Sequence, residues 1–238
     1  MNDTAQVLIL KQTDYREADV IINALSKEYG KISFIARGAR RPSSKNAAAL
    51  LPATEALIQF DYSENRSIFS LKTARTLSLF RHVHESLEVM AAANVVCEAA
   101  DVLIQEGDAA CYDRLREALN RLQEGQDHAT VTVLFVLWLM QNFGIAPHVD
   151  GCLQCGKPKA AYLSVKEGGF LCSACTDQMT PLADLSRFRL LVKGNMLHAD
   201  QVLAAVKAQK SDLEAVSEII RIHTGMEIRS FSFYLRLF

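Results

Sequence analysis

The sequence predicts an α+β protein, with a small five-stranded barrel over residues 1–80 and an all-helical domain over residues 81–238. Three observations lead to this prediction. Up to about residue 80, apolar and polar residues alternate, which is the period of a strand with one buried face. From about residue 82, apolar residues recur at helical spacing. Two Cys-x-x-Cys pairs then interrupt the helical pattern, within a short module at residues 150–178.

Five apolar segments predict the strands of the barrel. A turn around Tyr29-Gly30 separates the second from the third, and a polar turn at 63–66 makes a hairpin of the last two. A long loop at 38–53 contains Gly, Pro and Ser. Five short strands with such a loop fit the OB-fold best, and the pattern is also compatible with an SH3-like barrel. The segments are Val7–Leu10, Val20–Leu25, Ile32–Arg37, Ala56–Tyr62 and Phe69–Lys72.

The helical region contains one segment that is apolar nearly all round, at about 129–143, and it should form the centre of a bundle. Near the C-terminus, Ser211-Asp212-Leu213-Glu214 has a capping-box pattern and predicts the start of the last helix. His223 continues the core face of that helix, so we expect it to be a core histidine. Cys97 and Cys111 fall in helical stretches and are expected to be packing residues.

The two cysteine pairs predict a metal site. Cys152 and Cys155 precede Cys172 and Cys175, and four soft sulfur ligands at this spacing favour tetrahedral zinc. A catalytic zinc keeps one position open for water or substrate, whereas four sulfurs close the site. We therefore expect one structural Zn²⁺ per chain. Four unligated cysteines or a redox pair are the alternatives, and a zinc deaminase is excluded because the chain has no His-x-Glu.

The composition is that of a soluble globular protein, since 50% of the 238 residues are hydrophobic and 22% are charged. No secretory signal is visible at the N-terminus. The longest apolar run, Val131–Met140, is too short for a bilayer, which needs roughly 20 residues. Six cysteines, four of them in a metal pattern, indicate a reducing compartment. We expect a cytoplasmic protein with no membrane contact.

Positive charge is concentrated in one segment of a chain whose net charge is −1. Residues 1–80 hold eleven Lys or Arg against eight Asp or Glu, which is a net +3, and the stretch 27–45 alone carries +5. Such a stripe is a candidate surface for tracking phosphates, and its alternative is an ordinary solvated face. The candidate DNA-binding residues are Lys27, Lys31, Arg37, Arg40, Arg41 and Lys45.

Aromatic side chains near the stripe are candidates for base stacking. Tyr15, Tyr29 and Tyr62 lie in or beside the predicted strands, and a stacked base is worth about 1–3 kcal/mol where stacking occurs. The alternative role of each ring is packing in the barrel core, and this alternative is stronger for Tyr62.

No catalytic constellation is visible in the sequence. The glycine-rich phosphate-binding loops and the Gly-x-Ser-x-Gly nucleophile elbow are absent. His82 and His84 lie beside Glu85, but a third ligand in the right place for a metal site cannot be named, so we interpret them as surface residues. The absence of these motifs favours a binding protein over an enzyme.

Several motifs together carry a resemblance to a known family. They are Thr13-Asp14-Tyr15-Arg16-Glu17-Ala18-Asp19, Tyr29-Gly30-Lys31-Ile32, the basic signature Ala36-Arg37-Gly38-Ala39-Arg40-Arg41-Pro42, the four cysteines and Ile228-Arg229-Ser230. In this order they resemble the RecO family of bacterial recombination mediators and strand-annealing proteins. The resemblance runs from end to end, and the cysteines place the chain with the zinc-containing members.

The resemblance implies an N-terminal OB-fold, a helical C-terminal domain and an inserted zinc module. It implies binding to single- and double-stranded DNA, annealing without ATP, and work with RecR to load RecA onto DNA coated by single-strand binding protein. The acidic, apolar C-terminal tail of that protein is expected to contact the helical part. RecF is a further expected partner, and the protein is expected at the nucleoid.

Two alternatives come from other classes of protein. One is a hydrolase or nuclease with a zinc-ribbon appendage, which needs acidic metal ligands or a nucleophile–base pair that the sequence does not show. The other is a zinc-ribbon scaffold that binds only proteins and has no affinity for DNA.

Overall fold

The computed structural model describes residues 2–63, 65, 67–106 and 109–238. These residues form two compact units, of which the first ends at Glu124 and the second begins at Gly125. The first unit contains a closed barrel and three helices. The second contains further helices and a two-stranded hairpin. Among the helices of the described ranges, none is both long and apolar enough for a membrane span.

The barrel has five strands in the order β1-β2-β3-β5-β4, and it closes between β4 and β1. Neighbouring strands are antiparallel except β3 and β5, which pair in parallel. This five-stranded barrel confirms the predicted OB-fold over the SH3-like alternative. The strands are β1 Asn2–Tyr15, β2 Asp19–Ser26, β3 Gly30–Ala36, β4 Glu55–Asp61 and β5 Ile68–Ser78.

Alternation of side chains fills the barrel as the sequence predicts. On β3, Ile32, Phe34 and Ala36 are buried, and the residues between them are half-buried on the outer face. A short 3-10 helix at Ala47–Leu50 adds apolar residues to the barrel core. The hairpin of β4 and β5 is confirmed. Of its predicted turn, Glu64 and Arg66 lie outside the described residues.

β1 is much longer than the predicted strand Val7–Leu10, because it pairs with two neighbours. Its first half pairs with β4, and its second half pairs with β2 up to Tyr15. The register with β2 shifts between Ile9 and Lys11. Beyond this shift the strand is polar, so its residues lack the hydrophobic alternation from which a strand is predicted.

A buried carboxylate joins the barrel to helices of the same unit. Glu55, at the start of β4, is 2% exposed. One of its oxygens accepts hydrogen bonds from Gln6 Nε2 at 2.6 Å, from the Tyr112 hydroxyl at 2.7 Å and from Arg116 Nε at 2.9 Å. Burial, and then the hydrogen bond to Glu55, raises the pKa of Tyr112 far above its usual value. The helices of this unit are α1 Arg81–Glu85, α2 Leu87–Leu103 and α3 Ala109–Gln123.

The compact unit thus extends past the predicted domain boundary at residue 80, where β5 ends and α1 begins. The division of the chain into separate domains at that point stays a prediction.

The second unit is built around one helix that is buried on all sides. α4 spans His128–Phe143, and every residue from Ala129 to Met140 is buried. The Asp127 side chain caps its N-terminus by accepting from the Thr130 N–H at 2.9 Å, and Gly144 ends it in the left-handed conformation. The other elements are β6 Tyr162–Ser164, β7 Gly169–Leu171, α5 Leu182–Gly194, α6 Ala199–Ala205, α7 Lys210–Thr224 and α8 Ser230–Tyr234, with 3-10 turns at Met196–His198 and Leu235–Leu237.

Three predictions about α7 were wrong. The capping box consists of Gln209 and Asp212, not Ser211 and Glu214, because the helix begins at Lys210, and α8 follows it. His223 is exposed rather than part of the core, and its Nε2 lies 3.2 Å from the Val165 carbonyl oxygen. Helical spacing alone does not show where the core ends near a helix C-terminus.

We expect Tyr112→Phe to lower the free energy of unfolding by about 1–3 kcal/mol, because it leaves part of a buried carboxylate unpaired. Asp113→Asn is the matched control on the same helix, since it removes the exposed Lys27–Asp113 pair, and it should cost less than about 1 kcal/mol. Urea unfolding of both variants measures the difference, and equal losses would contradict the role given to Glu55.

Candidate metal centre and nucleic-acid interface

The four predicted metal ligands lie together in the segment between α4 and α5. The sulfur atoms of Cys152, Cys155, Cys172 and Cys175 all lie within 4.8 Å of one another, and those of Cys155 and Cys172 are 3.5 Å apart. Tetrahedral zinc with Zn–S bonds of about 2.3 Å separates its sulfurs by about 3.8 Å. The residues therefore fit a closed four-sulfur site, and the cluster is able to hold a metal ion.

Local backbone structure explains why the sulfurs converge. In the first pair the Gly156 N–H donates to the Cys152 carbonyl at 2.8 Å, and Gly156 has a left-handed φ of 72°. In the second pair the Cys175 N–H donates to the Cys172 carbonyl at 2.9 Å. Each pair is thus a tight turn that presents two sulfurs to the same side.

The hairpin of β6 and β7 brings the second turn back to the first. Gly168, with a φ of 75°, makes the reversal between the two strands. Gly169 has a different reason for being glycine, because a Cβ there would lie 2.5 Å from the His148 carbonyl oxygen. Cys152 and Cys172 are buried against Leu171 and the Tyr162 ring, so one side of the cluster is dry.

The thiols of the cluster are electrostatically unequal. Burial raises the pKa of Cys152, but backbone N–H groups of Cys172, Cys155 and Gln154 outweigh it and lower that pKa to about 6. The N–H of Ala174 is the main cause of the lowered pKa of Cys172. The hydrogen bond with the Cys155 sulfur raises the pKa of Cys175 to about 12. Since metal ligands are thiolates, metal binding to this cluster displaces protons.

The other titratable residues singled out in the sequence lie apart from this cluster. His82 Nδ1 is 3.8 Å from a Glu85 oxygen, and no third ligand joins them in the described part of the chain. Cys97 is fully buried, and desolvation raises its pKa to about 12. Cys111 is half-buried.

The predicted basic stripe divides into two parts with different surroundings. Lys27 Nζ lies 3.1 Å from an Asp113 oxygen on α3. Lys31 Nζ lies 3.3 Å from an Asp101 oxygen on α2 and also donates to the carbonyl oxygens of Asp101 and Ile104. These two ammonium groups are therefore partly neutralised by the helices, and whether they contact DNA stays a prediction.

The second part of the stripe is the basic loop, residues 37–45, which follows β3. Arg37, Arg40, Arg41 and Lys45 are all exposed. Arg40 Nη1 lies 3.2 Å from an Asp14 oxygen, and in the described ranges the other three form no ion pair. The loop thus presents cations whose charge is not cancelled by neighbouring carboxylates.

Backbone hydrogen bonds hold the basic loop against the barrel. The Gly38 N–H donates to the Asp19 carboxylate at 2.8 Å, and the Arg40 N–H donates to the Ala18 carbonyl at 3.1 Å. Asn46 accepts from the Ala74 N–H of β5 at 3.1 Å. The turn between β1 and β2 and the basic loop consequently share one end of the barrel.

Arg16 also lies at this end and was absent from the predicted set. It is exposed, has a φ of 54°, and its guanidinium carbon lies 5.1 Å from the centre of the Tyr15 ring. Its position beside residues 37–45 follows from the pairing of β2 with β3, in which Val20 at the start of β2 lies opposite Ala36 at the end of β3.

Tyr29 and Tyr62 lie together at the opposite end of β3 from the basic loop. Tyr29 packs edge-on against Phe60 at 5.5 Å between ring centres, and Tyr62 stacks on Phe69 at 5.3 Å. Both rings are about one-third exposed. They are an outward extension of the aromatic barrel core.

Comparison with known proteins agrees with this architecture. The family model for the N-terminal part of recombination protein O matches residues 1–80, and the one for the C-terminal part matches residues 84–230. The chain is 35% identical to a DNA repair protein RecO of Exiguobacterium sibiricum, over 72% of this chain and 70% of that protein.

Two further relatives carry the same name. A DNA repair protein RecO of Lactobacillus delbrueckii subsp. bulgaricus is 34% identical over 70% of this chain and 68% of that protein. One of Halalkalibacterium halodurans is 28% identical over 73% of this chain and 69% of that protein.

Barrels of this topology commonly bind oligonucleotides. The architecture is that of an OB-fold protein whose helical region carries a four-cysteine cluster. The chain belongs to the RecO family of DNA repair proteins.

We expect protein purified without added metal to contain one metal ion per chain, and Cys172→Ser to reduce this to near zero and lower the thermal midpoint of the second unit. Cys111→Ser is the control, because it removes a thiol far along the chain from the cluster. Elemental analysis gives the stoichiometry. A metal-free wild-type protein would contradict the assignment.

Proposed function

We propose that this chain is a recombination mediator that binds single- and double-stranded DNA and anneals complementary strands without ATP. The observation that carries the proposal is the basic loop, where Arg37, Arg41 and Lys45 are exposed and lack carboxylate partners within the described residues. Cations of this kind displace the counterions condensed on DNA, which favours binding without regard to sequence. Membership of the RecO family supports a role in DNA repair.

Annealing requires two polyanions to approach each other, and the basic loop is suited to reduce their repulsion. Its backbone donates to Asp19 of β2 and to Ala18 in the turn before β2, and the side chain of Asn46, directly after the loop, accepts from β5, so the cations are held in place before DNA arrives. Preorganised cations lose less entropy on binding than cations on a flexible tail. The chemistry asked of the protein is binding and neutralisation, so we propose that it is not an enzyme.

We propose that the metal of the cysteine cluster is zinc and that its role is structural. Four thiolates are the ligand set that zinc prefers in closed sites, and they leave no position for a substrate. When bound, zinc would hold the two cysteine turns together. The DNA-binding chemistry lies on the barrel and does not use the metal.

The proposed partners follow from family membership. They are RecR, with which the chain would load RecA onto DNA coated by single-strand binding protein, the acidic C-terminal tail of that protein, and RecF. The proposed place of action is the cytoplasm, at the nucleoid.

Replacing Arg37, Arg40 and Arg41 together with Ala should weaken DNA binding across sequences. It should also lower the slope of log affinity against log salt by about two, because fewer counterions are released. A charge-matched control replaces Lys159, Lys166 and Lys207, which are exposed in the second unit, and should leave the slope nearly unchanged. Fluorescence anisotropy at four salt concentrations measures it, and equal slopes in all three proteins would refute the assignment.

Strand annealing is the direct test of the activity. Complementary oligonucleotides coated with single-strand binding protein should reanneal faster when the chain is added, and ATP should make no difference. Absence of both acceleration and gel retardation would instead favour a scaffold that binds only proteins. Cleavage that depends on a divalent metal would favour a nuclease.

A further inference from the structure

We propose that the turn formed by Tyr15 and Arg16, between β1 and β2, is a stacking site for an unpaired nucleobase. In this role the turn would add affinity for single strands only, whereas the basic loop would bind single and double strands alike. The inference rests on the proposed DNA binding and assigns a separate task to two residues within it.

The first argument is position. The turn is joined to the basic loop by three contacts: Gly38 N–H to Asp19 at 2.8 Å, Arg40 N–H to Ala18 at 3.1 Å, and Arg40 to Asp14 at 3.2 Å. A strand whose phosphates follow the loop therefore passes the turn. The loop between the first two strands is also one of the elements with which OB-folds bind oligonucleotides.

The second argument is the chemistry of the pair. Arg16 is exposed, and the Arg16 guanidinium carbon lies 5.1 Å from the centre of the Tyr15 ring, within the range of a cation–π contact. Among the described residues no carboxylate pairs with Arg16. The ring is half-buried and so is held by the barrel. An aromatic face and a guanidinium plane are the two surfaces on which proteins stack unpaired bases.

The third argument is that the other aromatic candidates are poorly placed. Tyr29 and Tyr62 lie across the seven residues of β3 from the basic loop, a distance of about 20 Å. Their rings pack on Phe60 and Phe69. Burial, and then the charges of Asp3 and Glu28, raises the pKa of Tyr29, so two carboxylates act on that ring.

The proposed stacking site and the basic loop should differ in the form of DNA, single-stranded or duplex, that they bind. In a duplex each base is already stacked and paired, so a protein ring gains access only if the duplex is opened. Phosphates, in contrast, are present in both forms. Loss of the stacking surface should therefore affect single strands selectively, and loss of loop cations should affect both.

The experiment compares Tyr15→Ala with Tyr15→Phe, which keeps the ring, and Arg16→Ala with Arg16→Lys, which keeps the charge but not the plane. The probes are a labelled poly-dT oligonucleotide and a hairpin duplex of equal phosphate number. We expect Tyr15→Ala to weaken poly-dT binding about tenfold and duplex binding less than twofold. Tyr15→Phe should stay within twofold on both. Arg16→Ala should weaken poly-dT binding more than duplex binding, and Arg16→Lys should restore poly-dT binding only in part.

Equal losses on the two probes, or no loss on either, would overturn the inference while the proposed function stands. A wild-type chain that binds neither probe would overturn both. Tyr29→Ala serves as the ring control at the other end of β3, and selective loss of poly-dT binding there would place the stacking site elsewhere. Thermal unfolding checks that each variant folds, and if Tyr15→Ala does not, the Arg16 pair decides.

Discussion

The buried carboxylate of Glu55 is the interaction on which the first unit depends. A charge that is 2% exposed is tolerated only when its hydrogen-bonding capacity is used, and here Gln6, Tyr112 and Arg116 supply the donors. Gln6 belongs to β1 and Glu55 to β4, which are the two strands that close the barrel. The same carboxylate therefore ties barrel closure to the seating of α3.

The packing of α2 and α3 against the barrel determines which cations of the N-terminal region are paired with carboxylates. α2 and α3 bring Asp101 and Asp113 to Lys31 and Lys27, whereas no helix of the described residues supplies a carboxylate to Arg37, Arg41 or Lys45. A stripe that looks uniform in the sequence becomes one neutralised segment and one free segment. Because counterion release depends on uncancelled charge, the free segment is where the proposed DNA binding would gain most.

The sequence predicted those features that depend on short-range patterns. Alternation along β3 identified Ile32 and Phe34 as buried, and the continuous apolar run identified α4 as the buried centre of the second unit. The spacing of the cysteines identified a cluster whose sulfurs do converge. For β3 and α4 the physical cause is a side-chain period that acts within a few residues, and for the cluster it is ligand spacing within each cysteine pair, the pairs themselves being 17 positions apart.

Features that depend on contacts with another segment of the chain were not predictable in this way. The polar half of β1 is a strand because β2 lies beside it, and His223 is exposed although it continues the spacing of the buried residues of α7. The partners of Lys27 and Lys31 lie about seventy or more positions further along the chain. The pairing of β2 with β3 brings the turn that contains Arg16 next to residues 37–45.

The cysteine module also depends on a contact between two separate segments of the chain, the two cysteine turns. Its hairpin consists of two strands of three residues each, and a two-stranded hairpin is marginal in water even at greater length. The buried contacts around Cys152 and Cys172 are few. Burial in so small an element contributes too little to offset the conformational entropy that is lost on folding. A metal bound to both turns would supply the missing stabilisation, since metal binding and folding are coupled. The small size of the module therefore supports the proposed structural role of a metal, as do its four cysteine ligands.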